Sequence, residues 1–335
     1  MITIHCGLHK TGSSSIQLGL QLAVTSRRPV AIPHPGELQT DEAWAARISA
    51  LPPEAILSDE NLLGSPFDGY ARAPERVRIL DESLKGREYR VIVYLRAQLP
   101  WLQSVYLQGV QQGRDDSPET FVSRVTASPF VGWNSMLELL RGSDATSIIV
   151  RAYEPRRDVV SDFFAQAALG TPPKVGSMGL RENPSITAVQ APILRALNSQ
   201  VDPAGSQRYR ELFQGPLREG SRVGLSPFPV AVQEATLRRY HDDWSAVCSS
   251  VMSVDAAEGA VFGSILQGWD ESASPFAGES ITDPLIAAEM VRSIRIMGEG
   301  THLRPADLGS RIMRAIADPV AASAAMRRRV FGRSS

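Results

Sequence analysis

The chain predicts an α/β fold: a central parallel sheet with helices on both faces, plus a helical C-terminal extension. Three observations predict it. Short apolar, partly β-branched runs alternate with amphipathic stretches through residues 1–169, the pattern of strand–helix–strand crossovers. The first such run, residues 2–6, leads into a turn bearing Gly7 and Gly12 and then into a helix. Polar residues that can do chemistry fall just past predicted strand ends, where such sheets bind ligands.

Taken in order, residues 2–6 read as a buried strand, and Ile16, Leu18, Leu20 and Leu22 begin an amphipathic helix. Pro29 to Ile32 reads as a short second strand. Thr40 to Leu51 reads as a helix with Thr40-Asp41-Glu42 near its start, broken by Pro52-Pro53. Ala55 to Ser58 is a third strand, and Asp59-Glu60-Asn61 follows its end. Ala73 to Leu84 is helical, with Val77, Leu80 and Leu84 turned inward. Tyr89 to Leu95 carries the strongest strand signal in the chain. Helices follow at Leu99–Gly113, Ser117–Thr126 and Gly132–Leu140, then a strand at Ala145–Tyr153 and a helix at Arg156–Leu169. Residues 170–184 are rich in Gly and Pro and read as a loop. Ser185–Leu197, Gln207–Phe213 and Pro229–Val251 read as helices, the last with Val232, Leu237, Tyr240, Trp244 and Val247 on its apolar face. Residues 255–283 read as loop. Pro284–Met297, Pro305–Ile316 and Pro319–Val330 read as helices that end the chain.

Composition narrows the function classes. With 335 residues, one large or two smaller domains fit, and the pattern divides the chain into residues 1–254 and an extension at 255–335. A formal net charge of -1 provides no global field for nucleic acid. No apolar run reaches the ~18 residues that span a membrane. The N-terminus reads as strand, loop and helix rather than as a signal peptide. Cys6 and Cys248 lie far apart with no metal-ligand spacing, which suits a reducing cytoplasm and no zinc. His5 falls on a strand and reads as core; His34, His241 and His302 have no partner spacing and read as surface.

The first turn carries the chemistry. A strand, a glycine-bearing turn and a helix form a phosphate cradle, because backbone N–H groups and the helix dipole both favour an anion there. Gly7-x4-Gly12 matches the start of a Walker A loop, but Ser13 stands where that loop has its lysine, and the cation is instead Lys10. Lys10, Lys85 and Lys174 are the chain's only lysines, so a compact ammonium was kept where arginine is the default.

Lys10-Thr11-Gly12-Ser13-Ser14-Ser15 resembles the 5′-phosphosulfate loop of sulfotransferases that use 3′-phosphoadenosine 5′-phosphosulfate (PAPS). His9 before the lysine and Gln17 after it are similar to bacterial carbohydrate-type members. Tyr94-Leu95-Arg96 followed by Ser104 resembles the 3′-phosphate motif of the same family, an arginine ending a strand with a serine eight positions on. A 3′-phosphate is a dianion that suits a forked cation and a hydroxyl donor. Arg151-Ala152-Tyr153-Glu154 is similar to a further family segment whose tyrosine lies near the adenine; a buried strand tyrosine is the equal alternative. The Arg-Lys-Gly clamp of cytosolic aryl and steroid members is absent, with Arg181-Glu182-Asn183 only a loose stand-in. The resemblance covers roughly residues 1–250.

The resemblance implies transfer of the sulfuryl group of PAPS to a hydroxyl of a carbohydrate-type acceptor. It places residues 11–15 around the 5′-phosphate and Lys10 on the leaving oxygen, with no metal required. Glu60 is the implied general base; Asp59 and His9 are its competitors. The alternatives are a P-loop kinase-like phosphotransferase, which Ser13 opposes, and a nucleotide-binding module without turnover. Trp101, Trp133, Trp244 and Trp269 could stack on sugar faces or serve as core.

Overall fold

A computed structural model describes residues 1–23, 28–33, 40–173, 186–199 and 225–270, with isolated positions at 211, 213, 286, 289 and 290. Apart from those isolated positions, the helices expected at Gln207–Phe213 and beyond Pro284 lie outside the described residues, as do His34, His302, Arg181-Glu182-Asn183 and the side chain of Trp269.

Strands β1 (Ile2–Cys6), β2 (Val30–Ala31), β3 (Ile56–Asp59), β4 (Tyr89–Leu95) and β5 (Ser147–Ala152) form a parallel sheet of order β2-β3-β1-β4-β5. The connection leaving β1 runs toward β3 and β2, and the chain later resumes on the other side at β4. The crevice beyond the carboxyl ends of β1 and β4 is therefore the switch point of the sheet. Cys6 pairs with Asp59 on one side and Val93 on the other, so the residues after β1, β3 and β4 emerge at one edge.

Both faces of the sheet are covered. Helices α1 (Ser13–Leu22) and α7 (Val159–Gln166) pack on Ile56, Ile92 and Tyr94 through Ile16, Leu20, Phe163 and Phe164. The inward positions of α1 are Ile16, Gly19 and Leu20, while Leu22 is exposed. The alternation of leucines at 18, 20 and 22 thus gives way to the helical i, i+3, i+4 face. Helices α2 (Asp41–Ser49), α3 (Ala73–Ser83) and α6 (Trp133–Arg141) pack in succession, α2 on α3 and α3 on α6, and α6 also meets β5. Thr40 caps α2 by accepting the Ala43 N–H at 3.2 Å. Asp158 caps α7 by accepting the N–H groups of Val160 and Ser161, so that helix starts three residues later than its pattern suggests.

The described chain divides into two compact units. The first, Met1–Trp101, Ser123–Glu182 and Thr236–Ser274, holds the sheet. In it α9 (Val230–Met252) supplies Asp243, which accepts the N–H groups of Trp133 and Asn134 at 2.9 and 3.0 Å and so caps α6. Residues 256–270, expected as loop, are instead helix α10 (Ala256–Asp270). Its Glu258 is 2% exposed and accepts the Ala152 N–H at the end of β5. The same carboxylate bridges Arg151 and Arg157 at 2.9 Å each, and both arginines also reach Asp162 at 2.6 Å. Buried charges persist when paired and hydrogen-bonded in this way. In the second unit, α4 (Gln98–Gln111) and α5 (Pro118–Val125) run into Leu102–Val122, and α8 (Gln190–Asn198) ends on Asn198, which donates to the carbonyls of Val110 and Arg114. Tyr106, Phe121 and Phe228 stack there edge-on. No helix among the described residues is long and apolar enough to cross a membrane.

Candidate active site

The loop after β1 is shaped by where its carbonyls go. Leu8 O accepts the hydroxyls of Thr11 at 2.5 Å and Ser13 at 3.3 Å. His9 O accepts the indole N–H of Trp101 at 2.9 Å, and Lys10 O accepts the Arg96 guanidinium at 3.2 Å. Three successive carbonyls are thereby satisfied within the protein. Gly12 then opens α1 at φ 82° with no side chain capping it, and the first N–H groups of a helix have no partner within it.

Two backbone positions carry this shape. A Cβ on Gly7 would sit 2.4 Å from Ser13 Oγ, so the loop closes only over a glycine. Lys10 itself lies in the left-handed region at φ 64°, where a side chain is uncommon and costs energy. The side chains of Thr11 and Ser13 are buried, Ser15 is half-buried and Ser14 is exposed. The hydroxyls of Thr11 and Ser13 therefore build the loop.

Arg96 follows β4 and lies half-buried, with burial lowering its pKa. Its guanidinium stands over the Tyr153 ring at 5.5 Å, and its carbonyl accepts Trp133 Nε1–H at 2.7 Å. Tyr153 is half-buried and also lines Gly12. Ser104 is half-buried on α4 and belongs to the second unit.

The three acid–base candidates meet different surroundings. Asp59 is 5% exposed, accepts the Asn61 N–H at 2.6 Å, and has Glu60 and Arg76 as its charged neighbours. Glu60 is half-buried; burial raises its pKa while the Lys10 ammonium opposes the rise. Glu60 is thus the carboxylate coupled to the loop lysine. His9 is 6% exposed, and its backbone N–H donates to the Tyr70 hydroxyl at 3.0 Å. Gln17 reaches the Ser58 carbonyl at 3.4 Å, tying α1 to the end of β3.

Tyr70, Trp101 and Trp133 form the aromatic brace behind the loop: Tyr70 and Trp101 stack at 5.9 Å, Trp101 and Trp133 edge-to-face at 5.2 Å. Sequence reasoning missed Tyr70, which lies 61 residues from His9 with no motif around it. Trp101, Trp133 and Trp244 are fully buried and present no face to a sugar.

Burial sets three titrations against one another. It lowers the His5 pKa to about 3 and, with Lys10 as the second cause, the His9 pKa to about 4. It raises that of Asp59 to about 6. The unfolded imidazoles bind protons that the folded ones refuse, so their contribution to stability is lost as pH falls below 6.5. Asp59 acts with the opposite sign: its folded carboxyl holds a proton the unfolded one has released, so its contribution is lost as pH rises through 6. Asp59→Asn is expected to steepen the acid loss of stability between pH 4 and 6 by about 1.4 kcal/mol per pH unit. Urea unfolding across that range checks it, and equal slopes for wild type and variant would refute it.

No protein-family model matches the chain, and no solved structure matches it. It is 27% identical over 155 residues to an uncharacterized protein of Archaeoglobus fulgidus. The match covers 42% of this chain and 42% of that protein, so the chain aligns with less than half of its relative.

Proposed function

We propose that the chain is a cytoplasmic PAPS-dependent sulfotransferase acting on a hydroxyl of a carbohydrate-type acceptor. The observation that carries this reading is the loop after β1: three carbonyls satisfied within the protein, an uncapped helix start, and Lys10 beside Glu60 at one sheet edge. A loop built for an anion, with its cation displaced from the Walker position, fits a phosphosulfate better than a triphosphate.

The roles follow from the chemistry. The N–H groups of residues 11–15 hold the 5′-phosphate, and Arg96 takes the 3′-phosphate. Glu60 removes the acceptor proton as its oxygen attacks sulfur; a carboxylate whose pKa is raised by burial is a stronger base than one in water. The bond from sulfur to the bridging phosphate oxygen breaks, and Lys10 neutralises the charge that grows on that oxygen. The leaving product is 3′,5′-bisphosphoadenosine. The buried free thiols Cys6 and Cys248 suit a reducing compartment.

Thermal shift with nucleotides tests the reading. At 100 times its dissociation constant, 3′,5′-bisphosphoadenosine is expected to add about 2.7 kcal/mol, and ADP at the same concentration distinctly less. Arg96→Ala is expected to erase the difference. Equal stabilisation by both nucleotides in the wild type would remove the 3′-phosphate site and the reading with it.

A further inference from the structure

The proton on His9 is fixed by its neighbours. The Tyr70 oxygen accepts the His9 backbone N–H at 3.0 Å, and because the side chain is fully buried its own hydroxyl hydrogen needs an acceptor inside the protein. Burial raises the Tyr70 pKa, so the hydroxyl keeps its hydrogen. The acceptor within reach of that hydrogen is His9 Nδ1, at 3.3 Å. A neutral imidazole that accepts at Nδ1 carries its own hydrogen on Nε2. Burial and the Lys10 ammonium hold the ring neutral at pH 7, with a pKa of about 4. Asn61 lies beside the imidazole and is the smallest of the influences on its titration. Asn61 is exposed, so this side of His9 borders solvent, from which a ligand oxygen would arrive.

We propose that His9 is a neutral hydrogen-bond donor, not a base: Tyr70 locks it as the Nε2–H tautomer, and Nε2–H is offered to an anionic oxygen of the group being transferred. The identity of that oxygen rests on the sulfotransferase reading; the tautomer does not. Tyr70 is then a positioning residue that acts through His9. The one basic lone pair of an imidazole in this state, on Nδ1, is engaged by the Tyr70 hydroxyl, which leaves the acceptor hydrogen to Glu60. Donation from a neutral ring adds a contact to the developing charge without placing a second cation beside Lys10.

Nitrogen NMR of the whole chain labelled at histidine tests the tautomer without any substrate, the His9 signals being identified by their loss in His9→Gln. The expected spectrum shows Nε2 protonated and Nδ1 bare, unchanged from pH 8 to pH 5.5. In Tyr70→Phe the lock is gone, and a mixture of tautomers is expected. An Nδ1–H ring, or an imidazolium at pH 6–7, overturns the proposal. Kinetics supply the second arm. His9→Gln keeps an N–H near the Nε2 position and has no basic nitrogen. It is expected to retain transfer within about tenfold of wild type, whereas His9→Ala loses about a hundredfold or more. If His9→Gln is as inactive as His9→Ala, the donor role fails. A wild type that moves no sulfuryl group from PAPS overturns the sulfotransferase reading instead, and the nitrogen spectra alone then decide the tautomer.

Discussion

A Glu60→Gln variant is expected to bind 3′,5′-bisphosphoadenosine as the wild type does and to lose about 10²–10⁴-fold in transfer, the span that a general base supplies. A sugar hydroxyl is a poor nucleophile and has to shed its proton as the new sulfur–oxygen bond forms. Glu60 is half-buried, and burial raises its pKa while the Lys10 ammonium opposes the rise. Glutamine keeps the shape and the hydrogen-bonding length but cannot take the proton. The measurement is transfer of labelled sulfur from PAPS to an accepted sugar hydroxyl, with nucleotide binding followed in parallel. Asp59→Asn is the control: its carboxylate is taken up by the Asn61 N–H at 2.6 Å, so transfer should persist. Full activity in Glu60→Gln with a dead Asp59→Asn would reverse the assignment.

The second large effect is at Lys10. Lys10→Met keeps the apolar stem and removes the charge. Its turnover is expected to fall by about 10²–10³-fold, or about 2.7–4 kcal/mol, as on removal of one donor aimed at a developing oxyanion. Nucleotide affinity should change less, because the charge on the bridging oxygen is largest in the transition state. The left-handed backbone at Lys10 strains methionine as it does lysine, so the comparison isolates charge rather than conformation. Near-normal turnover in Lys10→Met would mean that the loop holds its anion with backbone N–H groups alone.

Much of the sheet was legible from residues alone. Five apolar runs became five strands within a residue or two at most ends; the central three, β1, β3 and β4, are buried on both faces, which favours such runs. The loop was legible through Gly7 and Gly12, since each supplies something only glycine gives: close approach to Ser13 in one case and a left-handed helix start in the other. Helix α10 was not. Gly259, Gly263 and Ser264 read as loop-forming, yet Gly259 marks close packing: a Cβ there would lie 2.5 Å from the Met252 backbone. A signal was present in Asp255 and Glu258, since the Asp255 carboxylate accepts the Glu258 N–H at 3.0 Å as a helix cap does.

The sequence by itself determined the succession of strands and helices through α7, the glycine-bearing turn after β1, and the placing of Lys10, Glu60 and Arg96 after strand ends. Those are local properties, fixed by side-chain periodicity and by the few residues that allow a tight turn. Only the tertiary structure decided which of two adjacent carboxylates couples to Lys10: Asp59 ends β3 buried and bonded to the Asn61 N–H, while Glu60, just past the strand, feels the lysine. Only it brought Tyr70 and Trp101 to His9 and Arg96 to the Lys10 carbonyl, bonds that span 61 to 92 residues. Contacts at such separations depend on how helices pack over the sheet, and no pattern within the loop records them.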